Sequence, residues 1–418
     1  MPYQPLAIFD NLLHCQSQQQ LELKDQAWFK AFKASSWQKA LTQDHYHANR
    51  FLQSYNGNEA TYNSYRREVE RLLHWSWAIE QKPIIELDRA AIEKFFHFCQ
   101  KPPVKWIASQ HFPRFIDKDG QRFANNNWRP FVATISKTAA KKGLSVDIEH
   151  YQLSEKALQS IFSVLSSFFN YLIAEDYSKY NPVAQIRQKS KFLRKRQNKQ
   201  VIRRLSELQW SYVIETAELM AKENPALHER TLFIMNALFG MYLRISELVA
   251  SDRWQPQMGH FFQDHDGHWW FTTVGKGNKQ RDISVSDAML KAFKRYRQSL
   301  ILPPLPPPGD ANPLIPKFRG QGPVNSTRQI RKLVQLCFDN TTEHLIADGF
   351  QDEAEQLMAA TVHWLRHTGI SEDVKTRPRE HVRDDAGHGS SAITDKYIDI
   401  EKRARAQSAK TKMINPNE

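Results

Sequence analysis

The sequence predicts a mainly α-helical protein of two domains, an α+β fold with one small antiparallel β-sheet in the second domain. Its 418 residues exceed what one ordinary hydrophobic core accommodates, so two domains with extensions are expected. Apolar residues recur at helical spacing through most of the chain, and one later pair of segments has the composition of adjacent strands.

The amino-acid composition is that of a basic globular protein. Hydrophobic residues make up 41% of the chain and aromatic residues 11%, which is enough apolar material for folded domains. The formal net charge is +13, and excess Lys and Arg raise affinity for polyanions because counterions are released on binding. Nucleic acid is therefore the expected class of partner, and the alternative is that the charge serves only solubility.

Cysteine usage and hydropathy indicate the compartment. Cys15, Cys99 and Cys337 are far apart and odd in number, which suits a reducing cytoplasm better than a disulfide framework or a zinc finger. No amino-terminal stretch resembles a signal peptide, and the most apolar run, residues 232–243, is shorter than the ~20 residues that span a bilayer. We therefore expect a cytoplasmic protein that does not insert into membranes.

Residues 1–45 are predicted to be an amino-terminal extension of unclear role. Trp28, Phe29, Phe32 and Trp37 could line one face of a helix. Such a helix would either dock on the core of the next domain or act as a separate DNA-binding arm.

Residues 46–186 are expected to form a helical domain. Apolar spacing predicts helices at 61–79, 89–99 and 155–174. Residues 101–150 lie between them, are rich in Trp, Phe, Asn and Pro, and are predicted to be an irregular insertion.

Residues 187–204 are predicted to be a basic interdomain linker, because the segment contains no acidic residue. A block of one charge sign is either a solvated hinge or a surface that contacts phosphates. The candidate DNA-binding residues in it are Arg187, Lys189, Lys191, Arg194, Lys195, Arg196, Lys199, Arg203 and Arg204.

Residues 205–400 are predicted to form the second domain, and residues 401–418 a carboxyl-terminal tail. Helices are expected at 205–223 and 226–249, and the second is apolar nearly all round and therefore buried. Further helices are expected from about residue 326 onward.

A β-hairpin is predicted within this second domain. Residues 268–274 and 279–285 are rich in aromatic and β-branched residues, and Gly-Lys-Gly-Asn at 275–278 has turn chemistry. The proline-rich residues 303–309 are expected to form a stiff surface loop.

The carboxyl-terminal part contains residues that could act together on one phosphate. His363 and Arg366 are three positions apart, so a helix would place them on one face. His388 lies between two glycines, and Tyr397 follows nine positions later across a helix start predicted at Ser390. Each residue type alone is common on protein surfaces, so their order along the chain is what indicates function.

This ordered set resembles the motifs of the tyrosine recombinase (phage integrase) family over about residues 200–400. Arg244 lies in Leu-Arg-Ile-Ser-Glu-Leu and Lys276 in Gly-Lys-Gly-Asn-Lys. His363 and Arg366 lie in His-Trp-Leu-Arg-His, and Tyr397 follows Gly-His by the spacing typical of the family.

Two positions depart from the family pattern. Met241-Tyr242 stands where the family commonly has Thr-Gly, and Ala386 stands where it commonly has Leu before Gly-His. Neither position bears chemistry, so the departures concern packing near the site rather than activity.

The resemblance implies a helical core-binding (SAM-like) DNA-binding domain at residues 46–186 and a catalytic domain at 205–400, which close around duplex DNA as a clamp. It implies site-specific recombination through a 3′-phosphotyrosyl intermediate, as in integration, excision or transposition of a mobile element, without metal, ATP or another cofactor. The implied assembly is a homo-tetramer on two double-stranded DNA duplexes, associated with the bacterial nucleoid.

The resemblance also implies roles for the site residues. Tyr397 is the expected nucleophile, and Arg244 and Arg366 are expected to hold the nonbridging phosphate oxygens, since guanidinium offers paired planar donors. Lys276 is the expected general acid for the departing 5′ oxygen. Lys279 is its local competitor, and Lys276 could instead merely touch a phosphate.

The remaining roles are assigned in the same way. His363 is expected to accept the tyrosine proton or to bond the phosphate, and His388 to donate to a nonbridging oxygen. Glu247 is expected to hold a neighbouring cation in place.

Two rival functions use some of the same features. A type IB topoisomerase-like enzyme would use similar Arg, Lys and Tyr chemistry, whereas a catalytically silent DNA-binding regulator would need neither a placed Tyr nor a general acid. No metal site is expected, because a polar loop accounts better than zinc for one remaining cluster. That cluster comprises His260, Asp264, His265, Asp266 and His268.

Overall fold

The computed structural model describes residues 3–12, 14, 27–30, 32, 38–186, 203–275, 277–390, 394 and 409–410. The chain divides into two compact units, residues 1–199 and 200–418. Each unit contains its own cluster of buried apolar side chains. Helices dominate both units and the sheets are small, so the predicted mainly helical α+β class is confirmed.

The first unit is built mainly from helices, several of which begin at a capping side chain. Asn58, Asp88 and Ser154 each accept a hydrogen bond from the backbone N–H three positions later, which satisfies a donor that the helix leaves free. The helices are α1 (Ala27–Lys30), α2 (Gln38–Gln53), α3 (Glu59–Trp75), α4 (Arg89–Gln100), α5 (Lys137–Lys141) and α6 (Glu155–Ala174).

Aromatic side chains form the core of the first unit. Phe96 of α4 stacks on Phe162 of α6 with ring centroids 3.7 Å apart. Trp75 at the end of α3 meets Phe95 of α4 at 5.4 Å, and this contact adds specific ring geometry to the burial of apolar area.

Helix α6 is long and apolar enough to cross a bilayer, judged by its length and composition alone. Buried helices of soluble proteins meet the same criteria, and the apolar side chains of α6, among them Leu165 and Phe168, lie in the core of the first unit.

Residues 3–12 pack into the core of the first unit. Ala7, Ile8 and Phe9 are buried, and the backbone N–H of Ile8 donates to the Glu70 carboxylate at 2.5 Å. The carboxylate of Asp10, itself 2% exposed, accepts two hydrogen bonds of 2.9 Å from Arg122. This part of the predicted extension is therefore integral to the unit.

Residues 101–150 contain regular structure where the sequence predicted an irregular insertion. β1 (Ile107–Ala108) pairs in parallel with β4 (Phe131–Val132), and β2 (Phe115–Lys118) pairs antiparallel with β3 (Gln121–Ala124). These strands are too short to show an alternating pattern.

Within residues 203–390, the second unit combines seven α-helices with a three-stranded sheet. The helices are α7 (Glu207–Glu223), α8 (Pro225–Gly240), α9 (Asp287–Ser299), α10 (Thr327–Ala347), α11 (Gln351–Met358), α12 (Val362–Asp373) and α13 (Arg379–Ala386). The strands β5 (Phe261–Gln263), β6 (Trp269–Val274) and β7 (Gln280–Ser284) are antiparallel in that order.

The predicted hairpin is confirmed as β6 and β7. Phe261, Phe271 and Ile283 are cross-strand neighbours at one level of the sheet, and all three are buried. Period-two side-chain alternation places them on the core face.

Helix α8 ends at Gly240, well before the predicted end at residue 249. After Gly240 the backbone reverses through Tyr242, which has a φ of 50°, and resumes as a 3₁₀ turn at Ile245–Glu247. The apolar run continues past the helix because Met241 and Leu243 are also buried, so apolar content did not reveal the boundary. The early end leaves Arg244 in an extended conformation.

Candidate active site

The last turn of α13 presents three consecutive backbone carbonyls to three arginines. The pairs are Arg281 Nε to the carbonyl of Asp385 at 2.9 Å, Arg366 Nη2 to Ala386 at 2.6 Å, and Arg244 Nη2 to Gly387 at 3.2 Å. The final carbonyls of a helix have no partner within it and carry partial negative charge, so they suit cationic donors. The helix end therefore gathers residues far apart in the sequence.

Gly387 ends α13 in a left-handed conformation, with a φ of 62°. A Cβ atom at this position would lie 2.9 Å from Cδ of Arg281. Both the backbone angle and the close approach require glycine, and His388 follows directly.

Glu247 holds two of the three arginines. Its carboxylate accepts hydrogen bonds of 2.9 Å from the guanidinium groups of Arg244 and Arg281, and it is 1% exposed. Burial raises the pKa of Glu247, but the hydrogen bonds and charges of Arg281 and Arg244 outweigh burial and place the pKa below its usual value. Glu247 is thus a fixed anion between two cations.

The hairpin lies against this cluster. A Cβ atom on Gly275 would be 2.9 Å from Arg281 Nη1 and 3.0 Å from Glu247 Oε1, so the turn can approach only as glycine. The next residue is Lys276, which lies outside the described residues. Lys279 is exposed at the start of the returning strand.

Helix α12 carries Arg366, which is 2% exposed. Besides the bond to Ala386, its guanidinium donates to the backbone carbonyl of Tyr242 and to Nε2 of His388, the latter at 3.3 Å. Helix α12 packs closely on α8, because a Cβ atom on Gly369 would overlap the carbonyl oxygen of Phe239.

His388 bridges Arg366 and Thr394. A guanidinium group can only donate, so Nε2 of His388 accepts, and Nδ1 then carries the proton toward Thr394 Oγ1 at 2.9 Å. Burial, followed by the charges of Arg366, Arg244 and Arg281, lowers the pKa of His388 to about 4. Near neutral pH His388 is therefore an uncharged imidazole.

His363 and His367 lie close together on α12, with ring centroids 4.3 Å apart. His363 is exposed at the surface, yet partial desolvation, then the charges of Arg366, Arg244 and Arg203, lower its pKa. Burial, then His363 and Arg366, lower the pKa of His367 to about 4. A neutral His363 can accept a proton, which is what a general base requires.

Tyr242 occupies a left-handed conformation that costs roughly 1–2 kcal/mol for a residue with a side chain. Its ring packs with Ile370, Val382 and Ala386, and its hydroxyl bonds to Asp373. The usual glycine of the resembled family at this position fits the observed φ.

The structure brings together Arg244, Glu247, Arg366 and His388 through direct contacts, and it couples His363 to them electrostatically. Tyr397 and most of the linker, Arg187 to Lys199, lie outside the described residues, as does Lys276. Of the linker candidates, Arg203 is exposed and Arg204 half-buried.

Sequence reasoning missed several residues of the site, including Arg281, His367, Arg377 and Asp385. Arg281 follows the Gly-Lys-Gly-Asn turn by three positions, where strand alternation would have put it on the same face as Ile283. Asp385 contacts Ser284, 101 positions away, and Arg377 contacts Tyr242, 135 positions away, so no local pattern marks these contacts.

The arrangement suits one phosphate group. Arg366 donates to neutral carbonyls and to a neutral imidazole, and these contacts fix its position without cancelling its charge. Arg244 is 28% exposed and shares its counterion with Arg281, which leaves net positive charge. Fixed donors of this kind stabilise negative charge that develops on phosphate oxygens.

In sequence, the chain is similar to tyrosine recombinases over part of its length. The tyrosine recombinase XerC of Alcanivorax borkumensis is 27% identical over 180 residues, 43% of this chain and 52% of that protein. The tyrosine recombinase XerD of Rickettsia prowazekii is 30% identical over 148 residues, 34% of this chain and 43% of that protein. The chain thus matches about half the length of these curated relatives. No protein-family model matches it.

Among solved structures, the XerH site-specific recombinase bound to a palindromic difH substrate, in a post-cleavage complex, has the same fold. The TM-score is 0.54 at 13% identity, and the alignment covers 96% of this chain and 93% of that one. The likeness thus extends over both units.

Proposed function

We propose that this chain, which is similar in sequence to tyrosine recombinases, is a site-specific recombinase that cleaves and rejoins double-stranded DNA through a 3′-phosphotyrosyl bond to Tyr397. The observation that carries the proposal is the convergence of Arg244, Arg366 and His388 on the end of α13. The guanidinium groups gathered at this helix end complement the negative charge of a scissile phosphate in the transition state, and the neutral imidazole of His388 lies beside them.

The proposed reaction exchanges one phosphoester for another. The Tyr397 phenol oxygen forms a bond to phosphorus, the bond from phosphorus to the 5′ oxygen breaks, and the 3′ phosphate remains on the enzyme. His363 takes the phenol proton or bonds the phosphate, and Lys276 protonates the departing oxygen, with Lys279 as the alternative. Rejoining reverses these steps, so neither ATP nor a divalent cation is required.

Within this site His388 must change the direction of its hydrogen bond. Its Nε2 accepts from Arg366 in the structure. When a phosphate oxygen receives the Arg366 donor instead, Nε2 can donate to the same phosphate only after protonation or a change of tautomer. Negative charge from the phosphate would raise the pKa of His388 and favour the protonated form.

Exposed basic residues beside the site support double-stranded DNA as the partner. Residues 311–338 contain no acidic residue. The backbone N–H of Ala250 donates to the carbonyl of Val324 at 2.8 Å, so the segment leading into α10 lies beside the chain that follows Arg244. We define the α10 basic surface as Lys317, Arg319, Arg328, Arg331 and Lys332, which are exposed except for the half-buried Lys317.

The proposed assembly is a homo-tetramer on two duplexes, with the linker and the tail at 401–418 available for DNA and neighbouring subunits. We further propose a cytoplasmic, nucleoid-associated protein that acts in integration, excision or transposition of a mobile element, without a membrane partner.

The test is covalent trapping on DNA. Purified protein is incubated with a nicked suicide duplex that carries its target, mapped first from the recombination junctions it produces in cells, and is then separated in denaturing detergent. The wild-type chain and a Tyr180→Phe control are expected to form an adduct, whereas Tyr397→Phe is expected to bind DNA without one. An undiminished adduct in Tyr397→Phe would remove Tyr397 from its role.

The adduct assay, together with a relaxation assay on supercoiled DNA, separates the rival functions. A wild-type chain that binds DNA but forms no adduct would be a silent regulator. Relaxation of supercoiled DNA without a particular sequence or a second duplex would indicate a type IB topoisomerase.

A further inference from the structure

Tyr242 connects the site to a polar network on its far side. The Tyr242 hydroxyl bonds to Asp373 at the end of α12, and Arg377 Nη1 donates to the same hydroxyl at 2.9 Å. Arg377 Nη2 in turn donates to the Asp385 carboxylate at 2.6 Å, inside α13. The single phenol thus joins α12 and α13.

The network is anchored on the sheet as well. The hydroxyl of Ser284 on β7 donates to Asp385 at 2.6 Å, and the Ser284 backbone N–H donates to the other carboxylate oxygen at 3.1 Å. Asp385 is buried, so the bonds from Arg377 and Ser284 fix its position. Its own carbonyl and that of Ala386 are acceptors for the site arginines.

Both ends of this network meet Arg366. One acceptor of the Arg366 guanidinium is the carbonyl of Tyr242 itself, and another is the carbonyl of Ala386, next to Asp385. The left-handed backbone of Tyr242 directs its carbonyl to Arg366, while the ring, 1% exposed, directs the hydroxyl to Arg377.

We propose that Tyr242 is a positioning residue. Its hydroxyl holds in place the backbone carbonyls that orient Arg366 toward the scissile phosphate. A glycine with the same φ would supply the carbonyl but no hydroxyl. The phenol of Tyr242 therefore adds a fixed connection from this turn to α12 and α13. The inference rests on the proposed function, because the group being aimed is the one assigned to the phosphate.

The hydroxyl is suited to this task because it remains protonated. Burial, followed by the hydrogen bond and charge of Asp373, raises the pKa of Tyr242 far above its ordinary value. The phenol therefore donates to Asp373 and accepts from Arg377 throughout the pH range in which proteins fold.

The test compares Tyr242→Phe with a matched control, Tyr212→Phe. The Tyr212 hydroxyl donates to Asp348 at 2.7 Å, so the control also removes a tyrosine–aspartate hydrogen bond from the second unit, but away from the site. Each full-length protein is assayed for DNA affinity and for the single-turnover rate of adduct formation on the nicked duplex.

The decisive readout uses a second duplex with a methylphosphonate at the scissile position. This group lacks one charged nonbridging oxygen, so less negative charge develops for Arg366 to stabilise. Tyr242→Phe is expected to bind DNA within about twofold of wild type and to form the adduct about 10–100-fold more slowly on phosphodiester, the usual cost of losing a group that orients an active-site residue. On methylphosphonate its deficit is expected to shrink to about threefold or less, and Tyr212→Phe to match wild type on both.

Two kinetic results would overturn the proposal. One is an unchanged rate for Tyr242→Phe on phosphodiester, and the other is an equal deficit on both duplexes, which would mean a general structural defect. If the wild-type chain forms no adduct on any duplex, the proposed function fails, and a crystal structure of Tyr242→Phe decides the positioning role. Displacement of the Arg366 guanidinium supports it, and an unmoved guanidinium overturns it.

Discussion

Gly387 is a residue whose lack of a side chain fixes the position of charged neighbours. Its left-handed φ lets α13 end with its carbonyls facing Arg281, Arg366 and Arg244. Gly389, two positions later, has open space around it and no positive φ. The two glycines flanking His388 therefore have different structural requirements.

Gly387→Ala is expected to reduce adduct formation by about 10-fold or more. The new methyl group would push against Arg281, and the left-handed conformation would cost roughly 1 kcal/mol, so the three carbonyls would shift. Gly389→Ala is the matched control and is expected to react at the wild-type rate. Equal rates for the two variants in the suicide-duplex assay would contradict this explanation of Gly387.

Two half-buried histidines, His367 and His388, predict how stability depends on pH. The folded-state pKa values of His367 and His388 are both about 4, below the 6.5 of an ordinary histidine. The unfolded chain therefore binds protons first as the pH falls, so their contribution to stability is complete above about pH 6.5 and is lost progressively toward pH 4.

His367→Gln is expected to flatten this dependence. Melting temperatures measured by calorimetry between pH 7 and pH 4.5 should fall less steeply for His367→Gln than for wild type, because one group that takes up a proton on unfolding is gone. His111→Gln, a change of the same kind at an exposed histidine of the first unit, is expected to leave the slope unchanged. A wild-type slope in His367→Gln would contradict the assigned burial of that imidazole.

At the scale of elements, the contact between α8 and α12 sets where Arg366 lies. Gly369 of α12 faces the carbonyl of Phe239 so closely that no Cβ atom fits. A Cβ atom on Gly240, the last residue of α8, would make only ordinary contacts, the nearest 3.8 Å from Sδ of Met289.

Gly369→Ala is expected to destabilise the second unit by roughly 1–3 kcal/mol, the usual cost of overpacking. That corresponds to about 2–4 °C in melting temperature per kcal/mol for a unit of this size. Gly240→Ala, a change of the same kind one helix away, is expected to leave the melting temperature unchanged or slightly higher, since alanine favours helix. Calorimetry of both variants checks the difference, and a Gly369→Ala chain as stable as wild type would refute the close approach.

At the scale of the whole molecule, some of the residues that give the net charge of +13 lie together on one surface. The α10 basic surface has exposed arginines beside the site, whereas Arg295 on α9 is paired with Glu229 at 2.7 Å. Salt dependence distinguishes a cation that contacts phosphate from one that does not, because each contact adds about 0.9 to the slope of log affinity against log salt.

The double variant Arg328→Gln/Arg331→Gln is expected to reduce the magnitude of that slope by about 2. Arg295→Gln also removes a positive charge but is expected to leave the slope unchanged. Affinities measured by fluorescence anisotropy from 50 to 300 mM salt test both variants, and a wild-type slope in the double variant would exclude the α10 basic surface as a DNA contact.

Much of the fold could be predicted from local patterns. Helix α6 was predicted at its observed position because its apolar stripe has strict helical spacing, and the hairpin because Gly-Lys-Gly-Asn separates two strand-like segments. The end of α8 was missed because the residues that follow the helix are also apolar and buried, so the apolar run continues past the helix end. The packing of residues 3–12 was missed because it depends on ion pairs with residues such as Arg122, more than a hundred positions away.

The charged side chains of the site were easier to predict than the groups that hold them in place. Arg244, Glu247, Arg366 and His388 were chosen by motif and meet in space. The acceptors that hold the arginines are backbone carbonyls, which every residue possesses and which no sequence pattern marks. The role of Tyr242 depends on a backbone angle that the sequence, with a bulky residue there, gave no reason to expect.

The use of carbonyls in place of carboxylates has an electrostatic consequence. A carbonyl holds a guanidinium group in place without cancelling its charge, so the carbonyls at the end of α13 fix Arg244, Arg281 and Arg366 as cations. A small dianion such as sulfate carries two charges and several acceptor oxygens for such donors, whereas chloride carries one charge. Such dianions should therefore occupy this pocket in preference to monovalent salts, at concentrations too low to screen the rest of the protein surface.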